Sequence, residues 1–192
     1  MTKLIAETAW HHEGDFSFMT DLVGALCEQS AADIVKMHIT LDLDAYMSRD
    51  HAAYDMLKSW MFTAEQWESL IGAVKRSGKQ LMLLLNDTQA VEFAGGVDPD
   101  MVELHSVCLN VPPLQRAFLE RFGRDTLVVI GVGGCSLEEV DAATHVFADR
   151  ELVLMFGFQN YPTKYRDINL RKIRKIQATY AGKRFGYADH TA

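Results

Sequence analysis

Long apolar runs are missing from this 192-residue chain. None approaches the ~20 residues that a membrane-crossing helix needs, so no membrane association is expected. Nor does a charged-then-apolar leader open it, because Leu4-Ile5-Ala6 runs straight into Glu7. Cysteine is scarce and odd in number. Cys27, Cys108 and Cys135 are scattered without Cys-x-x-Cys spacing, which argues against a disulfide scaffold and suits a reduced, cytoplasmic compartment. Positive charge is in deficit, with 19 Lys and Arg against 26 Asp and Glu and a formal net charge of −7. That balance speaks against nucleic acid as a partner. The densest basic run, Arg171, Lys172, Arg174 and Lys175, has the spacing of the solvated face of a helix. No internal repeat, low-complexity tract or linker interrupts the chain, and a 48% hydrophobic content suits one domain with a substantial core over residues 1–192.

What is present is a steady alternation of short apolar runs and amphipathic segments. Strands are expected at 3–10, 32–41, 80–85, 101–109, 126–132, 151–158 and from 185 onward. Between them lie helical patterns: apolar Phe16, Met19, Leu22, Val23 and Leu26; a helix from the capping box Thr63-Ala-Glu-Gln66 to Lys75, ended by Gly78; a short helix around Ala90 to Phe93. Pro112-Pro113 opens another helix, Ser136 to Glu139 forms a second capping box, and Asp167 can cap a helix with Ile168, Leu170, Ile173 and Ile176 on its apolar face. Residues 43–62 read as a long loop over the top, with room for one short helix. Such alternation predicts an α/β fold with a parallel sheet and right-handed crossovers. Polar residues gather where the strands stop, as on the active face of a TIM-type (β/α) barrel. Seven of that barrel's eight strands are readable, so the domain is expected to be incomplete at its C-terminus, or to be closed by a partner or a rearranged terminus. Open edges at the first and seventh strands would otherwise invite association.

The strand-end motifs carry a resemblance. Ile5-Ala6-Glu7 with His12-Glu13-Gly14-Asp15, Lys36 after Asp33-Ile34-Val35, Ser136-Leu137-Glu138-Glu139, Tyr161-Pro162-Thr163, Asp167-Ile168-Asn169-Leu170 and Gly186-Tyr187-Ala188-Asp189-His190-Thr191 stand in the order of the N-acetylneuraminate (sialic acid) synthase family. The similarity spans nearly the whole chain. It implies the family's barrel domain and its reaction, the condensation of phosphoenolpyruvate with an N-acyl mannosamine-type amino sugar to give a nonulosonic acid. A divalent metal, Mn²⁺ or Mg²⁺, would polarise the aldehyde. It also implies Glu7 as the catalytic carboxylate, Lys36 beside the phosphoenolpyruvate, Ser106 near its phosphate, Tyr161 near the sugar, and His190 as one of two metal histidines. His11, His38 and Gln159 stand at further substrate-binding positions, His12 is a second metal candidate, and a homo-oligomer is expected.

Departures from the family pattern are specific. Leu85 replaces a Thr, Glu103 a Lys, Gly131-Val132 a Ser-Thr pair, Ala188 a Ser, Gln159 an Asn and His11 an Asn. A carboxylate in place of Lys weakens any phosphate site, although Gly133-Gly134 could offer backbone N–H groups to an anion. From the residues alone, His11, His12, His38, His105 and His190 fall at strand ends and, with Glu7, Glu103 and Asp189, could converge on one opening suited to Zn²⁺ or Mn²⁺. Glu7 could equally be the ion-pair partner of Lys36 inside the barrel. Two alternatives stand beside the synthase: a sugar- or metal-binding barrel without the condensation, and a non-catalytic piece that assembles with another chain. If the mouth is aligned as the resemblance implies, Glu103→Lys raises the affinity for phosphorylated ligands; calorimetry showing no gain would contradict that alignment.

Overall fold

Apolar runs of four to six residues between helices become parallel strands when helices cover one face and other strands' side chains cover the opposite one. The computed structural model describes residues 2–157, 160, 162–168 and 170–191. Among them, seven strands form one parallel sheet in chain order. They are β1 (Ile5–Glu7), β2 (Ile34–Ile39), β3 (Gln80–Leu85), β4 (Met101–Leu104), β5 (Leu127–Gly131), β6 (Leu152–Gly157) and β7 (Arg184–Ala188). Pairing runs from Ile5↔Ile34 at one side to Gly157↔Ala188 at the other, and β1 and β7 do not pair with each other among the described residues.

Two populations of side chains follow from the period of two along each strand. Val35, Met37, Ile39, Leu81, Leu83, Leu85, Val102, Leu104, Val128, Ile130, Leu152 and Leu154 join the main core with helical residues such as Trp67, Val74, Phe118 and Phe147. The alternate positions face the inside of the curled sheet. There Ile34, Met82, Met101, Val129 and Met155 form a separate apolar floor. One step further along the strands lie Glu7, Lys36, Glu103, Gly131, Gly157 and Ala188. Leu85, expected at the mouth, belongs instead to the helix-facing set.

The helices are α1 (Phe16–Glu28), α2 (Leu43–Tyr46), α3 (Tyr54–Ser59), α4 (Ala64–Ser77), α5 (Thr88–Gly96), α6 (Pro112–Arg121), α7 (Leu137–Val146) and α8 (Leu170–Thr179). Both expected capping boxes form, Thr63 with Gln66 and Ser136 with Glu139, and Gly78 closes α4 at a left-handed φ of 78°. Several expectations change. The segment 43–62 holds two short helices rather than one, and α5 is longer than its apolar pattern because Asp87 caps it by accepting from Ala90 N–H. Strand β4 stops at Leu104, where the His105 side chain caps a 3-10 turn, Ser106–Cys108. Asp167 lies inside a 3-10 turn, Tyr165–Asp167, rather than at a cap, and Leu170 is 56% exposed rather than on a buried face. The first strand is only three residues long because the chain turns sharply after it, with Ala9 at a φ of 43°.

Two glycines fix the rim. Gly14 has a φ of 85° and packs against Ser59 and Trp60, joining the first loop to the end of α3. At Gly131 the strand passes so close to the 3-10 turn that a Cβ would sit 2.8 Å from Ser106 N. Gly131→Ala is therefore expected to destabilise the fold by about 1–3 kcal/mol through overpacking. Urea unfolding checks this; an unchanged midpoint would contradict the close approach.

Candidate functional site

Because β1, β2 and β4 run parallel in register, their inward residues reach the same level at the carboxyl end of the sheet. Lys36 Nζ stands 2.7 Å from Glu7 Oε2 and 2.7 Å from Glu103 Oε2. Two residues on from Lys36 along the same face, His38 Nε2 lies 2.9 Å from Glu7 Oε1. Lys36 and Glu103 are 5% and 3% exposed, so their charges are held away from water. Glu7, Lys36, Glu103, His105, Ser106, Gly131, Met155, Gly157, Ala188 and His190 line one cavity, together with Phe156. The closed part of this cavity is about 30 Å³, on the scale of a single water molecule, and it opens to solvent at the rim.

The electrostatics follow from burial set against pairing. Burial works against the Lys36 ammonium, but Glu103 and Glu7 outweigh it and raise its pKa. Burial would raise Glu7 too, yet its contacts with His38 and Lys36 hold it well below the ordinary carboxylate range. Glu103 goes the other way: burial dominates over the Lys36 contact, and its pKa is raised. Burial, with the nearby His38 and Lys36, lowers His105 to about 4, so its imidazole is neutral near pH 7. An anion seated on Lys36 about 4 Å from an ionised Glu103 would meet a repulsion of about 4 kcal/mol per unit charge at an effective dielectric near 20.

Backbone partners fix the histidine tautomers. His105 Nδ1 accepts from Val107 N–H and His12 Nδ1 accepts from Gly14 N–H. In both rings the proton therefore sits on Nε2 in the neutral form, which is then a donor and has no lone pair for a metal. His12 is 2% exposed among Trp10, Phe62 and Trp67 and does not line the cavity. His11 is opposite in sense: its Nδ1 lies 3.0 Å from the Thr8 carbonyl, so Nδ1 donates and Nε2 is bare, but it too lies outside the cavity lining. Among the described residues no group of three or more His, Cys, Asp and Glu side chains is placed to hold a metal ion. The described donors do not make a metal centre, and His12 and His190 are not brought together in the cavity lining.

Of the other sequence-predicted residues, Ser106 is buried, and its Oγ has no hydrogen-bond partner among the described residues. His190 lines the cavity, and its carbonyl accepts from Thr163 N–H at 2.7 Å, which ties the loop after β6 to the end of β7. Gln159 and Tyr161 lie outside the described residues. At the α7 N-terminus, Ser136 N–H is already taken by Glu139. Cys108 is buried with its thiol pushed up to about 11, chiefly by burial and then by Asp87, which removes it as a nucleophile. Sequence reasoning missed the Lys36–Glu103 contact. The signal was there, since both residues fall on the inward parity of their strands.

The NeuB family model matches residues 28–192. The chain is 26% identical over 209 residues to N,N'-diacetyllegionaminic acid synthase of Legionella pneumophila, covering 98% of this chain and 57% of that one. It is 24% identical over 194 residues to an uncharacterized protein of Methanocaldococcus jannaschii, covering 99% of this chain and 56% of that one. The chain thus spans about half the length of the curated relatives it matches. In fold it superposes on the N-acetylneuraminic acid (sialic acid) synthetase of Leptospira borgpetersenii with a TM-score of 0.88 at 18% identity, covering 98% of this chain and 65% of that one.

One pH dependence follows from the cavity. His105 and His12 both have folded pKa values near 4, against an ordinary 6.5. Between those values the unfolded chain binds more protons, so stability is expected to fall as pH drops from 6.5 to 4. Asn at position 105 can still cap the 3-10 turn, so His105→Asn is expected to give a shallower fall in the urea midpoint. An identical slope in variant and parent would contradict the buried neutral imidazole.

Proposed function

The chain belongs to the NeuB family, and on that premise we propose that it carries the barrel part of a sialic-acid-type synthase. The proposed reaction condenses phosphoenolpyruvate with the open-chain aldehyde of an N-acyl mannosamine-type sugar. One observation supports this most: Glu7, Lys36, Ser106 and His190, contributed by β1, β2, the turn after β4 and the end of β7, line one cavity at the carboxyl rim. In a parallel barrel this is the rim where substrates bind.

Each residue has a definite part in this reading. Lys36 supplies the positive charge for an anionic group of the donor. Glu7 bridges Lys36 and His38 and fixes both orientations. Ser106 Oγ, free of protein partners among the described residues, is available to a phosphate or carboxylate oxygen. His105 offers a neutral Nε2–H donor from the neighbouring position. The apolar floor of Ile34, Met82, Met101, Val129 and Met155 keeps water from below and strengthens every contact above it. A divalent metal belongs to the family reading; the described residues do not compose a site for it, and none of the residue roles above depends on it.

A second reading, a sugar-binding barrel that has lost the condensation, is favoured by a single fact: the ammonium needed by the donor already holds two carboxylates. The two readings separate in one assay. The synthase reading expects phosphate release only when phosphoenolpyruvate, an N-acyl mannosamine and Mn²⁺ are all present. Thermal stabilisation by the sugar without phosphate release would support the binding barrel instead.

A further inference from the structure

The Lys36 ammonium cannot serve an incoming anion fully while an ionised Glu103 is on it. Glu103 is sealed inside the barrel, with Lys36 and His38 facing it from β2, Glu7 from β1, and His105 and His190 around the same cavity. Among the described residues, Lys36 is the counter-charge that touches it, at 2.7 Å. If an anion takes over that ammonium, an ionised Glu103 loses its counter-ion in a desolvated place and also faces a like charge. Both losses are removed by one event, the uptake of a proton. The freed set would then be Lys36 Nζ–H, Ser106 Oγ–H and His105 Nε2–H, three donors on one small cavity, with Glu7 left as the single carboxylate balancing Lys36.

We propose that Glu103 is a positioning residue of this anion site, one that yields Lys36 to an anion by taking up a proton. The inference rests on the reading of Lys36 as the anion-binding group, and adds that binding there is proton-linked. Burial shifts Glu103 toward its protonated form, which favours the proton uptake. Binding then weakens as pH rises, by up to about tenfold per unit for one linked proton.

Sulfate is a suitable probe because its charge is constant over the range of interest. Its binding to the full chain would be measured by calorimetry at pH 7 in buffers of different ionisation heat, which reads the number of protons taken up. The parent is expected to take up about one proton more per sulfate than Glu103→Gln, and the variant is expected to bind more tightly with a flatter pH profile. Equal proton numbers in the two would overturn the inference while leaving Lys36 as an anion site. Sulfate binding to neither would overturn the anion site itself, and the inference with it. Should Glu103→Gln not fold, the parent alone decides: affinity that stays flat from pH 5 to 8 overturns the linkage.

Discussion

Lys36 Nζ is held 2.7 Å from each of two carboxylates, Glu7 and Glu103, at the level where the parallel strands end. Burying Lys36 and Glu103 away from water is costly, and mutual attraction offsets that cost only when the geometry is good. The rest of the rim is arranged around that constraint. His38 takes the second oxygen of Glu7, Gly131 leaves room for the turn that carries Ser106, and His105 caps that turn from the same inward parity as Glu103. Breaking the cluster by removing Lys36 would leave Glu103, only 3% exposed, without that counter-charge.

Such a cluster needs strands that cannot slip. A shift of one residue in β2 would move Lys36 into the helix-facing core and Val35 into the mouth. The apolar floor guards against this, because Ile34, Met82, Met101, Val129 and Met155 pack only in the observed register. Helix caps at Asp15, Thr63, Asp87 and Ser136 fix where each helix begins after its strand, and so hold the loops that surround the site. In this chain the NeuB-family fold carries a mouth in which Glu103 shares the Lys36 ammonium with Glu7.

Much of this was legible in the sequence. The period of two in β2 put Lys36 and His38 on one face, and both reach Glu7. The capping boxes named the starts of α4 and α7 correctly because a cap is a local interaction, complete within four residues. What stayed hidden was non-local. Glu103 meets Lys36 across 67 positions of sequence and an intervening strand; strand parity turned both inward, but nothing local named the pair. Leu85 looked like a loss at the mouth, but parity sends it to the helix layer. Strand β4 ended early because a histidine side chain, which no propensity scale rates highly as a cap, took the Val107 N–H. His12 sat beside polar neighbours in the sequence yet is enclosed by aromatic rings from Trp10, Phe62 and Trp67.

The two carboxyls on Lys36 differ in kind. Glu7 is the ionised partner, shared with His38, and Glu103 is the buried one that holds its proton more readily. Glutamate side-chain ¹³C resonances, assigned with Glu7→Gln and Glu103→Gln and followed through a pH titration, measure this difference directly. One resonance should stay ionised to well below the ordinary value of 4.5 and the other should titrate above it. Two glutamates titrating together near 4.5 would contradict a shared, buried ammonium at the barrel mouth.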